Sequence, residues 1–317
     1  MDTGRDSLIR DAIRGRAGEF GLDAGALEMH RVFNWGGFVA ESFRVTDGAR
    51  SVHLKLAVDQ ADMRRWLAVH DHLERHHRAP RVLGWVDVPG TPFGGLAFDH
   101  IPGATWDPAA QPALLGDLGD LLGRLHADRA LAGRLGGGAR TFRACWERRY
   151  RAQFEEDLAT IRPDRPAAVT DDRLARMAAE AGRVLALTEG DPAFDGATAS
   201  PCHWDLWQGN VMVEPEGRWW VLDWDDLAIG DPAEDYATLA WPVLAKTGGD
   251  WRGLFPAPAD GPLAARVDLH LRAITLDYAI DVLADWAECG PEYRDEVRPI
   301  KEAQHERFWD LYRARYG

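Results

Sequence analysis

The chain has 317 residues and a mass of 35.3 kDa, and its 46% hydrophobic and 28% charged residues are typical of a folded globular protein. The formal net charge of -14 disfavours nucleic acid as a partner, and no apolar run of membrane-spanning length occurs. Three widely spaced cysteines predict neither a disulfide framework nor a zinc site. We therefore expect a cytoplasmic protein with no nucleic-acid or membrane partner, and composition leaves its oligomeric state open.

The first hundred residues predict a small antiparallel sheet with one main helix. In chain order the predicted elements are a helix over residues 6–20, strands over 38–45 and 51–58, a helix over 60–77, and strands over 81–88 and 94–101. The Asp47-Gly48 pair between the first two strands indicates a hairpin, because both residues tolerate positive φ. Residues 1–100 are thus predicted to form one domain.

The rest of the chain predicts a larger, mostly helical domain over residues 101–317. Leu114, Leu118, Leu121 and Leu125 form an apolar stripe at helical spacing. Further helices are predicted over residues 142–161, 171–187, 232–245, 264–289 and 291–316. The fold class that we expect is α+β with two domains, since single cores rarely grow beyond about 300 residues.

Two short apolar strands in the second half are predicted to pair as a hairpin. One strand leaves Asn210 in "NVMVEPEG", and the other leads into Asp223 in "GRWWVLDWDD". Pairing brings Asn210 and Asp223 to the same end of the hairpin. Their side-chain oxygens are hard ligands of the kind that suit Mg²⁺.

Asp205 precedes Asn210 by five residues, on the loop that leads into this hairpin. A carboxylate at such a place can accept a proton from an attacking hydroxyl group. A solvated turn with helix-capping residues is the competing interpretation of the whole acidic cluster.

The spacing His203-x-Asp205-x-x-x-x-Asn210, followed by Asp223, resembles the catalytic loop and metal-binding aspartate of the protein-kinase-like fold. More narrowly, "HWDLWQGNVMV", "VLDWDDLAIGDPAEDYATL" and "LGDLLGRLHA" resemble the aminoglycoside phosphotransferase and choline kinase family. The resemblance implies a bilobal fold, with a small sheet-bearing N-lobe and a helical C-lobe. It also implies ATP, or alternatively GTP, with Mg²⁺ as cofactors.

The resemblance implies a role for each matching residue. Asp205 would be the catalytic base, Asn210 and Asp223 the Mg²⁺ ligands, and His203 a support for the loop. Lys55, on the polar face of its strand, would hold the α- and β-phosphates.

Other nucleotide contacts are implied around the predicted sheet. Backbone groups near Gly36 and Gly37 would cover the phosphates, although the loop lacks the full glycine-rich pattern. The Asp99 carbonyl and the Ile101 amide would meet the adenine, with Phe98 behind it.

A helix acid is expected to pair with Lys55. Asp62 matches best by its position, and Asp71 and Glu74 are alternatives. A helix N-terminal acid placed for the helix dipole is the competing interpretation of Asp62.

Further polar and aromatic residues surround the motif. Asp231 and Asp235 are predicted to brace the catalytic loop and to cap a helix. The candidates for contact with the acceptor are Trp204, Trp207, Asp225 and Asp226. Hydrophobic packing within the fold is the competing interpretation of both tryptophans. For Asp225, a position in a solvated turn and an approach to a second metal are alternative interpretations.

The function that we predict is transfer of the γ-phosphate of ATP to a hydroxyl of a small, cationic acceptor, for example an aminoglycoside antibiotic. Kinases of choline, homoserine, an amino sugar or a macrolide are alternatives, whereas a protein acceptor is disfavoured because no long activation segment follows Asp223. A metal-dependent hydrolase and a non-catalytic nucleotide-binding protein are the alternatives of another class.

Overall fold

The computed structural model describes residues 4–32, 40–136, 138–163, 165–166, 169–255, 261–289 and 294–317. In this part of the chain the α-helices are α1 (Gly4–Arg16), α2 (Ala61–His76), α3 (Leu114–His126), α4 (Arg129–Arg134), α5 (Phe142–Trp146), α6 (Ala152–Ile161), α7 (Asp171–Ala186), α8 (Pro232–Thr247), α9 (Gly261–Glu288) and α10 (Arg294–Tyr316). The strands are β1 (Glu28–Val32), β2 (Ala40–Thr46), β3 (Ser51–Ala57), β4 (Val82–Asp87), β5 (Gly94–Asp99), β6 (Ala104–Thr105), β7 (Arg140–Thr141), β8 (Ala197–Thr198), β9 (Pro201–Cys202), β10 (Val211–Val213), β11 (Trp219–Val221) and β12 (Ala228–Ile229). The predicted α+β class is confirmed.

The chain divides into two compact units. One comprises Met1–Trp106 and Gly209–Leu227, and the other comprises Asp107–Gln208 and Ala228–Gly317. The sequence predicts that residues 101–317 form the second domain. The segment Gly209–Leu227 groups with the first unit instead, because β10 pairs with β6 as well as with β11.

The main sheet of the first unit is antiparallel, and its described strands lie in the order β1-β2-β3-β5-β4. The predicted hairpin between β2 and β3 is present. Gly48 has a φ of 88°, and Asp47 Oδ1 accepts hydrogen bonds from the backbone of Ala49 and Arg50. Strand β1 was not predicted, because its side chains are mostly exposed and give no apolar alternation.

One face of this sheet is covered by α1 and the short helical turn that follows it. Ile9, Ile13 and Phe20 pack with core residues of β2 and β3, which include Phe43 and Leu54. Helix α2 packs against β4 and β5. Because residues alternate across β3, its other face is left to polar side chains.

The second unit is built around α9, which packs against α6, α8 and α10. Residues on several faces of α9 are buried, so this helix is covered on most sides. The predicted helix over residues 142–161 forms as α5 and α6 with a wider turn, Glu147–Arg151, between them. The short α4 was not predicted.

All three cysteines are free and buried, and all lie in the second unit. Burial raises the pKa of Cys145 to about 11 and raises the pKa of Cys202 well above its usual value. Among the described helices, none combines the length and the apolar character needed to cross a membrane.

Candidate active site

Lys55 lies in the middle of β3, in the first unit. Leu54 and Leu56 on either side of it are buried in the core, so Lys55 stands on the opposite face of the strand. Its Nζ atom lies 2.6 Å from Oδ1 of Asp223 and 2.6 Å from Oδ2 of Asp225. The predicted lysine and the predicted metal-binding aspartate are therefore in direct contact.

The charge states around Lys55 follow from burial and from these contacts. Burial works to lower the pKa of Lys55, but the carboxylates of Asp223 and Asp225 raise it overall. Burial raises the pKa of Asp225 to about 6, although Lys55 opposes this shift. His53, on the same face of β3, has its pKa lowered to about 4 by burial, with His100 and Lys55 adding to the effect. At neutral pH Lys55 is therefore charged and His53 is neutral.

The hairpin of β10 and β11 brings Asn210 and Asp223 to one end, as the sequence predicted. Val211 pairs with Val221, and the backbone N–H of Leu222 donates to the Asn210 carbonyl over 2.8 Å. Asp223 has a φ of 59°, which is an uncommon value for a residue with a side chain. Such backbone conformations persist where the surrounding structure enforces them, often at functional sites.

The side chains at this end of the hairpin suit a hard divalent cation. Asn210 and Asp223 offer amide and carboxylate oxygens, and Asp225 adds a second carboxylate. Oδ1 of Asp225 is buried and accepts no hydrogen bond from the described residues. Oxygen donors of this kind fit Mg²⁺, which is commonly held by one or two carboxylates together with phosphate oxygens.

The predicted pairing of Lys55 with Asp62 is corrected by the structure. Asp62 lies in the first turn of α2, and its carboxylate pairs with Arg65. Asp71, the first alternative, pairs with Arg75. Both acids thus pair with arginines of their own helix, and the Lys55 ammonium contacts Asp223 and Asp225 instead.

The end of β5 holds the residues expected near the adenine. Phe98 is 3% exposed, and its ring centroid lies 4.6 Å from that of Trp66. Asp99 donates its backbone N–H to the Arg81 carbonyl over 3.0 Å, and Ile101 is half-buried. The backbone roles of Asp99 and Ile101 stay predictions. The expected phosphate-covering residues Gly36 and Gly37 lie outside the described residues.

In the second unit, Asp235 of α8 holds the loop that carries Asp205. Oδ2 of Asp235 accepts the backbone N–H of His203 over 3.0 Å, and Oδ1 accepts that of Trp204 over 2.8 Å. Nε2 of His126, on α3, lies 2.8 Å from the same Oδ2 atom. His126 was not singled out from the sequence, although it lies in the "LGDLLGRLHA" segment that carries part of the resemblance.

His203 connects this brace to the predicted base. Its side chain is fully buried, and its Nδ1 atom accepts the backbone N–H of Asp205 over 3.3 Å. Asp205 also acts electrostatically on Tyr278, since burial and then the charge of Asp205 raise the pKa of that phenol. The local structure thus fixes the backbone of Asp205 through a buried imidazole.

Trp204 has a φ of 70°, and its indole is packed within the second unit. A Cβ atom built on Gly230 would stand 2.0 Å from the indole Nε1, and the Arg148 guanidinium lies 4.8 Å from the ring centroid. This geometry matches the packing interpretation of Trp204. Contact of Trp207 with an acceptor stays a prediction, and so does that of Asp226, which is exposed.

Asp231 caps α8 and joins it to α9. Its carboxylate accepts the backbone N–H of Ala233 over 3.0 Å and lies 2.7 Å from Nε of Arg266 and 3.4 Å from Nε2 of His270. Burial opposes ionisation, yet these partners lower the pKa of Asp231 overall. This aspartate is a structural link within the second unit.

A group of buried and half-buried acids in the second unit, here called the α9 acid cluster, comprises Asp157, Glu234, Asp277, Asp281 and Asp285. Asp277, Asp281 and Asp285 follow one another at four-residue steps on α9. Burial raises the pKa of Asp157 to about 7 and that of Glu234 to about 8, and raises the pKa of Asp281 well above its usual value. Such shifts indicate that burial disfavours the ionised form of these acids.

Two basic side chains partly balance the α9 acid cluster. Arg149 lies 2.7 Å from Glu234 and 3.1 Å from Asp277, and Lys301 lies 2.6 Å from Asp285. Oδ2 of Asp157 and Oδ1 of Asp277 are buried, and neither accepts a hydrogen bond from the described part of the chain. The cluster therefore has more carboxylates than described cationic partners.

Comparison with known proteins places this geometry in context. Residues 31–270, well over half of the chain, match the phosphotransferase enzyme family. A comparison with curated proteins gives no match.

Several solved structures share the fold. Choline kinase from Cryptosporidium parvum Iowa II is 14% identical to this chain, with a TM-score of 0.58 over 96% of each chain. The GDP complex of aminoglycoside 2'-phosphotransferase-IIIa is 12% identical with a TM-score of 0.61, and covers 96% of this chain and 99% of its own. A thermostable mutant of aminoglycoside phosphotransferase APH(4)-Ia in a ternary complex with AMP-PNP and hygromycin B is 15% identical with a TM-score of 0.61, over 98% of this chain and 99% of its own. These likenesses confirm the predicted protein-kinase-like fold.

Proposed function

Because the chain belongs to the phosphotransferase enzyme family, we propose that it is a kinase that transfers the γ-phosphate of ATP to a hydroxyl group of a small cationic molecule. Family membership confirms the predicted class of enzyme, an ATP-dependent phosphotransferase that acts on an alcohol group, and sets aside the hydrolase and the non-catalytic alternatives. The identity of the acceptor, the Mg²⁺ and the roles of single residues belong to the proposal.

The observation that supports the donor side best is the contact of Lys55 with Asp223, which are 168 positions apart in the chain. The fold places an ammonium group beside a carboxylate that follows a strand of the Asn210 hairpin. In the proposed site Lys55 binds the α- and β-phosphates, and Asn210 and Asp223 hold Mg²⁺. When bound, that cation supplies positive charge that neutralises the phosphates.

In the proposed reaction, the acceptor oxygen forms a bond to the γ-phosphorus while the bond from phosphorus to the β–γ bridging oxygen breaks, which leaves ADP. Asp205 accepts the proton of the attacking hydroxyl group. Its backbone is held by His203, whose own backbone N–H is held by Asp235. Phosphoryl transfer needs mainly positioning and charge neutralisation, so these few groups are sufficient.

The α9 acid cluster supports a cationic acceptor. It has more acidic groups than described basic partners, so a bound ammonium group would favour the ionised form of acids whose pKa burial raises. The solved structures that share the fold include a choline kinase and an aminoglycoside phosphotransferase in complex with hygromycin B. Aminoglycosides are our first candidates, and choline, homoserine, amino sugars and macrolides are the alternatives.

We further propose a cytoplasmic location. Free, buried thiols are common in a reducing compartment, and the chain has three of them.

The proposal is tested by measuring ADP release from Mg·ATP, and from Mg·GTP in parallel, across a panel of these acceptors. Asp205→Asn should lower turnover at least ~10²-fold, as expected for loss of a general base, while nucleotide binding by calorimetry stays intact. Asp195→Asn is the matched control, because its exposed carboxylate lies in the same unit, and it should keep full activity.

Charge recognition is tested on the best acceptor of the panel. Comparing it with its N-acetylated form removes positive charge and leaves the hydroxyl groups in place. We expect kcat/KM to fall at least about tenfold for the acetylated compound. Equal rates would rule out a cationic acceptor. An Asp205→Asn variant as active as the wild type would remove Asp205 from its role.

A further inference from the structure

We infer that Asp225, and not an acid of α2, is the carboxylate that positions Lys55 for the nucleotide, and that Arg65 of α2 holds the Asp225 segment in place. The inference rests on the proposed function of this site. It makes Asp225 a positioning residue, which acts on the phosphates through Lys55.

The first step is that two of the three candidate acids of α2 pair within their own helix, Asp62 with Arg65 and Asp71 with Arg75. The side chains of α2 that are buried against the sheet include Met63, Trp66, Val69 and Leu73. Trp66 packs on Phe98 of β5, the strand that pairs with β3. A large apolar side chain therefore occupies the sheet-facing middle of the helix.

The second step is that Asp225 contacts Lys55 directly. Its Oδ2 atom lies 2.6 Å from Nζ of Lys55, and the side chains of Asp225 and Lys55 are only 20% and 14% exposed. An ion pair this sheltered from water is screened little by solvent, so it can fix the ammonium in one position. The pair joins residues that are 170 positions apart.

The third step is the role of Arg65. Its Nη1 atom donates to the backbone carbonyls of Asp225 over 3.2 Å and of Leu227 over 3.5 Å. Its other terminal nitrogen pairs with Asp62. The helix thus contributes an arginine that anchors the segment after Asp223, and the acid comes from that segment.

The charges favour this assignment. Lys55 contacts two carboxylates, so one ammonium faces two negative groups. If a divalent cation engages Asp223, as proposed, Asp225 is the one of these two carboxylates that remains to hold Lys55. The competing assignment makes Asp225 itself a metal ligand through its Oδ1 atom, which is buried and accepts no hydrogen bond from the described residues.

A double-mutant cycle separates the two assignments. Binding of AMP-PNP is measured by calorimetry, with Mg²⁺ and with EDTA, for the wild type, Asp225→Asn, Lys55→Met and the double variant. We expect Asp225→Asn to weaken binding with Mg²⁺ by about tenfold in the wild-type background, and by less than about twofold when Lys55 is already replaced. A metal ligand would show the same loss in both backgrounds, and that result would overturn the inference.

Further variants exclude a merely structural effect. Asp225→Glu keeps the charge and should restore most of the affinity. Asp62→Asn should show no coupling to Lys55→Met, and Asp87→Asn, an exposed acid of the same unit, should bind as the wild type does. Thermal unfolding without nucleotide gives a second double-mutant cycle, which compares the stability of the single and double variants. The effects of replacing Lys55 and Asp225 should be non-additive, whereas those of replacing Lys55 and Asp62 should add. Additivity of Lys55 and Asp225 in both cycles would reject the pair, whereas a wild type that binds no nucleotide would reject the proposed function itself.

Discussion

The indole of Trp204 lies directly against the Cα atom of Gly230, at the point where a Cβ atom would stand 2.0 Å from the indole Nε1. Gly230 precedes Asp231, the cap residue of α8, and its backbone N–H donates to the Ser200 carbonyl over 3.0 Å. The contact therefore ties the residue beside Asp205 to the start of the helix that carries Asp235. It also gives a physical reason for glycine at position 230.

Gly230→Ala should destabilise the protein by about 1–3 kcal/mol, because the added methyl group overlaps a rigid, packed ring. Denaturant unfolding of the wild type and the variant measures this loss. Truncating the ring provides the control. In a Trp204→Ala background the same glycine substitution should cost clearly less, and an equal cost in both backgrounds would mean that the indole is not the obstacle.

Asp223→Ala should remove the part of nucleotide affinity that depends on Mg²⁺. The carboxylate is proposed as a metal ligand, and loss of a hydrogen-bonded or coordinating charge typically weakens binding at least about tenfold. The affinity for ATP measured in the presence of Mg²⁺ should therefore differ from that measured with EDTA in the wild type. In the variant the two affinities should be nearly equal. The exposed Asp87→Ala variant serves as the reference, and an unchanged Mg²⁺ dependence of Asp223→Ala would contradict the metal assignment.

The raised pKa of Asp157 predicts that the stability of the protein depends on pH. Burial raises its pKa from 3.8 to about 7, so between these values the folded protein holds a proton that the unfolded chain has lost. The folded state is therefore favoured at low pH, and this contribution is lost as the pH rises towards 7. Asp157→Asn cannot ionise, and its Oδ1 can still accept from Gln153. Relative to the wild type it should gain stability, on the order of 2 kcal/mol, between pH 5 and pH 8.

The measurement is the difference in unfolding free energy between Asp157→Asn and the wild type at several pH values. Taking the difference cancels other groups, such as Glu234, that titrate in both proteins. Asp195→Asn, with its exposed carboxylate, should show a flat difference over the same range. A flat difference for Asp157→Asn as well would show that this buried acid is not protonated in the folded state.

Local patterns were enough to predict much of the fold and part of the site. The polar face of β3 and the hairpin between Asn210 and Asp223 depend on residue alternation and on a short turn, which are both visible over a few residues. Strand β1 gave no such signal, because it is an edge strand with mostly exposed side chains.

Contacts between distant segments could not be predicted in the same way. The sequence showed that α2 carries acids, but not that Trp66 occupies its buried face beside Phe98. Nor could spacing reveal that Asp225 meets Lys55, because the choice between Asp62 and Asp225 depends on how α2 and the β11 segment pack around the sheet. The four-residue steps of the α9 acids were visible, whereas Asp157 joins them only through the packing of α6 on α9.

The distribution of cysteines has a practical consequence for such experiments. All three thiols are buried in the second unit, and the first unit has none. Since only an exposed thiolate reacts readily, a thiol reagent should label the chain only when the second unit opens. The rate of labelling is thus a built-in reporter of opening in that unit alone, and it needs neither an engineered probe nor an active enzyme.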